Sequence, residues 1–419
     1  MKYSVITFGC RVNQADSLGF EEELRAAGAT AAPAESADLV IVNTCSVTAT
    51  ADQGARQTIR RVARDNPSAR IVVTGCYATR RSDDIAALPQ VVRVVPNDDK
   101  PRLLAIVRGV TTAERFGEGD GACGAVIEPG VAGRTAFTLR VQTGCAEPCS
   151  YCIIPATRGT PRSVPIVDVL REVERVAAAG FKEIALTGVH LGSYGRDLDR
   201  PASLRTLLDS ATALAERHDL LFRISSLEPM DCHRDILELV AASDRFAPHF
   251  HLPLQHASNG VLAAMRRPYT IERYADLVDE IRARMPNASI GSDVIVGFPG
   301  ERDEDFEQLA SYLEGSPLTH LHVFPYSDRP GTEASRMNGK VPSPAVRERG
   351  RRVREIGQRL TTRFRDSQIG TIHRALTLED GSLVVTGNYL KLRVPPAYPR
   401  NHWARVRVTS HHDGELLGG

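Results

Sequence analysis

The chain has no apolar stretch approaching the roughly 18 residues that cross a bilayer, so nothing in it reads as a membrane span and no membrane partner is expected. Its N-terminus, Met1-Lys2-Tyr3-Ser4-Val5-Ile6, is too short and too quickly polar for a secretion signal. An excess of one charge is also missing. The formal net charge is +1 over 419 residues, which excludes a strongly basic nucleic-acid binder. Any phosphate-binding surface must then be a local patch. A disulfide framework is not the reading of the eight cysteines in a chain of this length. They read as metal ligands or reactive thiols of a cytoplasmic protein. With 42% apolar and 25% charged residues, the composition supports a sizeable core and two or three domains.

What the chain does contain is Thr143-Gly144-Cys145-Ala146-Glu147-Pro148-Cys149-Ser150-Tyr151-Cys152, just after an apolar run. Thiolates are the usual ligands of iron–sulfur clusters. Three of them on a four-iron cubane leave one iron without a protein ligand, and an open coordination position is where a metal site does chemistry. The second Cys/His pair that zinc would need is absent here. A zinc site completed from elsewhere, or three unrelated thiols, is the alternative. The spacing resembles the radical S-adenosylmethionine (SAM) superfamily. That resemblance implies that the amine and carboxylate of SAM chelate the open iron and makes Cys145, Cys149 and Cys152 the catalytic cluster ligands.

Residues 1–113 alternate short apolar runs with helical patterns: strands over 3–8, 39–42 and 71–73, helices over 18–27 and 53–63, with Asp16 or Ser17 as a cap. The order implies a parallel sheet, whose ligands sit beyond the carboxyl ends of the strands. Cys10, Cys45 and Cys76 each fall just past such an end, close enough to share a metal, though buried structural cysteines would look the same. Residues 114–136 hold six glycines and read as a linker, with Cys123 in it incidental. Cys232 is treated likewise.

Residues 137–360 form the central domain. Strands at 137–142, 183–187, 221–225, 249–253, 289–296 and 320–324 alternate with helices, which implies an open (β/α)6 barrel with its functional residues at the C-terminal strand ends. There Gly188 allows close backbone approach, Ser225 or Glu228 reaches SAM, and Tyr151 packs on its adenine. His251 at a strand end reads as structural. Arg158 and Arg162, just past the cysteines, are placed to contact a substrate phosphate or the anionic cofactor. Within 345–375 stand nine arginines against three acids. Arg347, Arg351, Arg354 and Arg363 on that helix are the candidates for following a phosphate backbone. Residues 361–419 end in short strands with glycine turns, a small antiparallel barrel.

Gly9-Cys10-Arg11-Val12-Asn13-Gln14, Asn43-Thr44-Cys45-Ser46-Val47 and Thr74-Gly75-Cys76-Tyr77-Ala78, followed by Cys145, Cys149 and Cys152, resemble the methylthiotransferases. The resemblance implies an α/β chain of three parts: an N-terminal domain holding a second three-cysteine [4Fe-4S] cluster, a radical-SAM barrel, and a TRAM-like RNA-binding module. It implies two [4Fe-4S] clusters and SAM as cofactors, tRNA as partner, and a flavodoxin- or ferredoxin-like electron donor. The Arg-Val-Asn-Gln after Cys10 is most similar to the branch that methylthiolates C2 of N6-threonylcarbamoyladenosine at position 37 of tRNA. The alternatives are the isopentenyladenosine branch, the ribosomal-protein aspartate branch, other radical-SAM sulfur chemistry, and a non-enzymatic iron–sulfur RNA-binding or electron-transfer protein.

Overall fold

The computed structural model describes residues 1–108, 129, 135–378, 380–395, 398–412 and 414–419. The expected linker, apart from 129, 135 and 136, lies outside them together with Cys123.

The first sheet comprises β1 (Lys2–Thr7), β2 (Thr30–Ala31), β3 (Leu39–Thr44), β4 (Arg70–Gly75) and β5 (Val91–Val95), all parallel in the order β2-β1-β3-β4-β5. β3 is buried along its whole length, which its unbroken Leu-Val-Ile-Val run requires of a strand covered on both faces. Val40, Val42, Ile71 and Val73 pack with Ile59 of the helix Ala49–Asp65. Leu39, Ile41 and Val72 pack on the other face with Phe20 and Leu24 of the helix Arg11–Ala26. That first helix starts seven residues before the expected position 18. Neither Asp16 nor Ser17 caps it; Cys10 stands at its N-cap. The reason is that Asn13, Asp16 and Ser17 are buried polar residues, so no apolar period marks the first turns.

The central barrel has β6 (Ala136–Arg140), then a small antiparallel pair, β7 (Gln142–Thr143) and β8 (Arg162–Ser163), then β9 (Glu183–Thr187), β10 (Leu221–Ile224), β11 (His249–His251), β12 (Ser289–Val296) and β13 (His320–Pro325). Its six parallel strands run as β6-β9-β10 and β11-β12-β13. The halves meet where Phe222 N donates to Arg245 O and Ala247 N to Phe222 O, both at 2.8 Å. No ladder joins β6 to β13 among the described residues, so the barrel is open as expected.

A long helix, Ser343–Ser367, runs straight through the expected domain boundary at 360. Val353, Ile356 and Leu360 belong to the barrel core, and Phe364, one turn on, to the core of the last domain. One apolar stripe thus serves two domains, and the chain leaves it only after Ser367. β14 (Ile372–Leu378), β15 (Leu383–Thr386), β16 (Lys391–Arg393), β17 (Trp403–His412) and β18 (Glu415–Gly418) close a barrel in the order β14-β15-β16-β18-β17, antiparallel except for β16 with β18. No helix among the described residues is long and apolar enough to cross a membrane.

Candidate active site

β1, β3 and β4 lie side by side and end level: Thr7 is in register with Asn43, Asn43 with Thr74, and Thr44 with Gly75. Cys10, Cys45 and Cys76 follow these three ends, so residues far apart in sequence emerge on one edge. Glycine is required beside them. A Cβ on Gly9 would lie 2.6 Å from Cys45 Sγ, and one on Gly75, at φ +99°, would lie 2.2 Å from Thr44 O. Cys10 is exposed and stands at the N-cap of the helix Arg11–Ala26. Cys45 and Cys76 are buried. Burial pushes the Cys45 thiol up to about 11, and the nearby Cys76 and Cys10 add to the rise.

A buried polar core backs this edge. Asp16 accepts from Lys100 Nζ at 2.7 Å and Arg140 Nη1 at 2.6 Å. Asn97 Nδ2 lies 3.6 Å from Cys76 Sγ and donates to Thr157 O at 2.7 Å. Arg158 is here too, and corrects its expected role. It is 2% exposed, donates to Asn13 Oδ1 at 2.6 Å and lies 3.7 Å from Asp16. Burial opposes its charge, but Cys76, Asp16 and Cys10 outweigh it and hold the guanidinium charged. It is a bridge between domains and is not open to a substrate phosphate. Arg162, by contrast, is exposed, and its guanidinium pairs with Asp98 Oδ1 at 2.8 Å.

The second cysteine loop sits between β7 and the short helix Ile154–Arg158, which puts Thr157 and Arg158 against the first cysteine set. Cys149 Sγ accepts from Arg267 Nη1 at 3.2 Å, and Arg267 also pairs with Glu228. Cys145 Sγ lies 3.9 Å from His190 Nδ1, whose Nε2 is 2.7 Å from Asp231 Oδ2. Burial would lower the His190 pKa, but Asp231 and Cys145 lift it to about 10, so it is an imidazolium at neutral pH. Burial pushes Cys152 up to about 12 and raises Cys149 against the pull of Arg267.

The remaining expected SAM contacts divide. Ser225, just past the end of β10, has a buried hydroxyl with no hydrogen-bond partner among the described residues, as a group awaiting a ligand would. Glu228 is partly exposed beside Cys149, held by Arg267. Tyr151 packs on Val261, Met265, Ile295 and Phe298. At Gly188 a Cβ would meet Leu191 at 2.8 Å and Gln142 Oε1 at 3.0 Å, so packing within the protein already requires the glycine. Gln142 Oε1 in turn accepts from Val189 N and His190 N, both at 2.9 Å. Sequence reasoning missed Arg267, which lies in no motif, and assigned His190 no role although it follows the end of β9.

Arg347, Arg351, Arg354 and Arg363 are exposed on the long helix. Arg351 is bridged to Glu348 and Glu355, and Arg363 donates to Ser316 O. The local arginine excess is largely cancelled in space. Arg349 pairs with Glu301 and Asp303, Arg352 with Glu307, and Arg359 with Glu314, all from or beside the helix Asp303–Gly315.

An open barrel of six parallel strands with three cysteines in the loop after its first strand is the architecture of a radical SAM enzyme. Residues 139–313 match the family model of the Radical SAM superfamily, and residues 2–96 the one described as uncharacterized protein family UPF0004. The chain is 38% identical over 403 residues to the threonylcarbamoyladenosine tRNA methylthiotransferase MtaB of Aquifex aeolicus (strain VF5), covering 94% of this chain and 96% of that one. Its counterpart from Bacillus subtilis (strain 168) is 36% identical, covering 85% and 80%. The tRNA-2-methylthio-N(6)-dimethylallyladenosine synthase of Carboxydothermus hydrogenoformans is 34% identical, covering 89% and 87%. Among solved structures, the radical SAM methyltransferase TsrM of Kitasatospora setae superposes with a TM-score of 0.56 at 17% identity, over 80% of this chain and 77% of that one, a likeness of fold. The chain belongs to the radical-SAM methylthiotransferase family.

SAM and [4Fe-4S] clusters are the cofactors of that family. The donor sets fit them. Zinc–sulfur bonds of about 2.3 Å would hold three thiolates within about 4.6 Å of one another. Among the described residues, the groups that converge within 4.8 Å are His251, Asp293 and His322, not either cysteine set. Thiolates that bind different irons of a cubane need not converge so closely.

Proposed function

We propose that the chain methylthiolates C2 of N6-threonylcarbamoyladenosine at position 37 of tRNA, in the cytoplasm, using a flavodoxin- or ferredoxin-like electron donor. The observation that carries this reading is the junction of the two cysteine sets: Thr157 and Arg158, just past Cys152, bond to Asn97 and Asn13 beside Cys76 and Cys10. A donor of sulfur and a generator of one-electron chemistry must act on one substrate atom, and two sets held this way serve one reaction. The relatives' names supply the substrate.

In this reading Cys145, Cys149 and Cys152 hold the cluster that binds SAM, and Cys10, Cys45 and Cys76 hold the second. When bound, cluster and SAM supply the one-electron chemistry that an aromatic C–H bond needs, since no side-chain base deprotonates it at neutral pH. The chain's own residues do the positioning. Arg267 spans Cys149 and Glu228 and keeps that carboxylate turned to the cysteine loop. The His190 imidazolium, oriented by Asp231, sets a positive charge beside the Cys145 sulfur. Ser225, whose buried hydroxyl has no partner among the described residues, stands just past the end of β10. Arg347 and Arg354, exposed on the long helix, and the C-terminal barrel are offered to the tRNA backbone.

Two measurements test this. Anaerobically reconstituted protein should carry about eight irons, and about four after Cys145, Cys149 and Cys152 are all replaced by Ala. A full iron load in that triple variant would refute the ligand assignment. Mass spectrometry of tRNA nucleosides should show the methylthio product from wild-type protein. Cys45→Ala should still form 5′-deoxyadenosine but no methylthio product.

A further inference from the structure

Arg11 is a cation whose partner, among the described residues, is a phenol. Among the described residues no carboxylate pairs with it, and its one hydrogen bond is Nη2 to Tyr389 Oη at 3.1 Å. It belongs to the first domain, yet it reaches a tyrosine of the third domain whose ring stacks on His249 of the barrel strand β11. Tyr389 comes from the third domain, on the turn between β15 and β16, and holds φ +69°, a conformation rare for a side-chain-bearing residue. That turn is fastened in place. Arg223 donates to Gly387 O at 2.8 Å, and Asn388 Nδ2 to Asn287 O at 2.8 Å. The Tyr389 ring lies 5.0 Å from His249, with the Arg223 guanidinium 4.5 Å from its centre. Even so the residue stays 43% exposed. Three domains therefore build one wall around a guanidinium that pairs with no carboxylate among the described residues.

The other charges at this wall cancel. Arg223 is paired with Glu183 at 2.8 Å. Asp293 Oδ1 lies 3.1 Å from both His251 Nε2 and His322 Nδ1. Gly291 leaves the space that His320 fills, since a Cβ would stand 2.0 Å from its Nε2. What is left over is one positive charge, a planar fork of donors, a phenol and the half-exposed His322. This set takes one planar monoanion, and a guanidinium fork matches a carboxylate with two parallel hydrogen bonds.

We infer that Arg11, with Tyr389 and His322, forms the subsite that binds the carboxylate of the amino-acid group on the modified adenosine. The inference rests on the function proposed above. A threonylcarbamoyl group ends in a carboxylate and a hydroxyl; a dimethylallyl group is a hydrocarbon and leaves Arg11 unpaired. Arg11 directly follows Cys10, so the anchor lies beside the cysteine set assigned to sulfur. A site that gives a carboxylate two charge-assisted hydrogen bonds discriminates against the analogue lacking it by the worth of those bonds.

The test uses reconstituted full-length enzyme with three tRNA anticodon stem-loops, carrying N6-threonylcarbamoyladenosine, its methyl ester, or N6-dimethylallyladenosine. Wild type should prefer the free acid to the ester by about 30-fold or more in kcat/KM, the worth of a charge-assisted pair. Arg11→Met should bring that ratio close to one, by weakening the acid rather than the ester. Loss of folding alone lowers both substrates together and leaves the ratio unchanged, and iron content checks that both clusters survive. Should Arg11→Met lose iron, Arg11→Lys, which keeps charge without the fork, and Tyr389→Phe, which removes the hydroxyl, must each lower the ratio. A wild-type ratio near one, or variants that keep the wild-type ratio, overturns the subsite and leaves the substrate reading standing. Product only from the dimethylallyl stem-loop, or from none of the three, overturns the substrate reading and the subsite with it.

Discussion

Asp16 is the residue on which the first two domains turn. It is 1% exposed and faces Lys100, Arg140 and Arg158, the last two from the barrel domain. Burial raises a carboxyl, but these cations outweigh it and hold Asp16 well below the usual carboxylate range. Asp16→Ala would leave Lys100 and Arg158 buried without their acid, a loss of about 3–5 kcal/mol. Urea unfolding should show it, and an unchanged midpoint would mean that water replaces the carboxylate. Gly75→Ala is the backbone counterpart. With φ +99° and Thr44 O at 2.2 Å from the added carbon, it should lower the thermal midpoint and the iron content together. Neither position announces itself in sequence: a buried aspartate and a capping aspartate are the same letter, and only the partner cations distinguish them.

The long helix shows the same division across a whole element. Nine arginines over 345–375 read as a basic face, but several are spent on the neighbouring helix. Arg349→Ala should destabilise the fold by about 3 kcal/mol, because it removes the cation beside a buried Glu301, which then has the amides of Gly297 and Phe298 and, 3.9 Å away, His256 Nε2. Arg347→Ala with Arg354→Ala should leave stability alone and weaken tRNA binding, flattening the salt dependence by about one unit for each phosphate no longer neutralised. Filter binding across a salt series measures both. Equal tRNA affinity in the double variant would reduce this helix to packing. The sequence reading placed a helix here on its arginine-rich stretch, and its arginine count was correct. What could not be read was which acids from 301–314 would stand opposite, since pairing 45 residues apart follows from tertiary packing alone.

At the scale of the molecule, buried histidines make stability depend on pH. Burial depresses His249 well below its usual value and lowers His256 and His320 to about 4. All three stay neutral in the fold while the unfolded chain binds protons near pH 6.5. The unfolded state therefore gains protons as pH falls, and stability present above about 6.5 is lost progressively toward 4. Each such group removes about 2 kcal/mol between pH 7 and 5. His256→Gln should accordingly lose less stability over that interval than the parent, read from denaturant midpoints at the two pH values. An equal loss in both would show that His256 titrates normally.

The six cysteines of the two sets, the strands at 183–187 and 289–296, the open barrel and four of the five strands of the terminal module were all present in the chain as local signals; the last strand, Glu415–Gly418, was not read. A strand has a period, a turn has its glycine, and the three close cysteines have a spacing. Those properties are decided within a few residues, so sequence alone determined them. The convergence of Cys10, Cys45 and Cys76 was reachable by one further step, because parallel strands of equal length end together. What only the tertiary structure decided was the destination of the long polar side chains. Arg158 turned inward to Asn13 and Asp16, Gly188 made way for Gln142, Arg267 bridged Cys149 and Glu228, and Arg11 came to rest against Tyr389 nearly four hundred residues away. An arginine reaches in any direction its neighbours leave open, and a charge goes where its desolvation is best offset, a quantity that exists only once the domains have met.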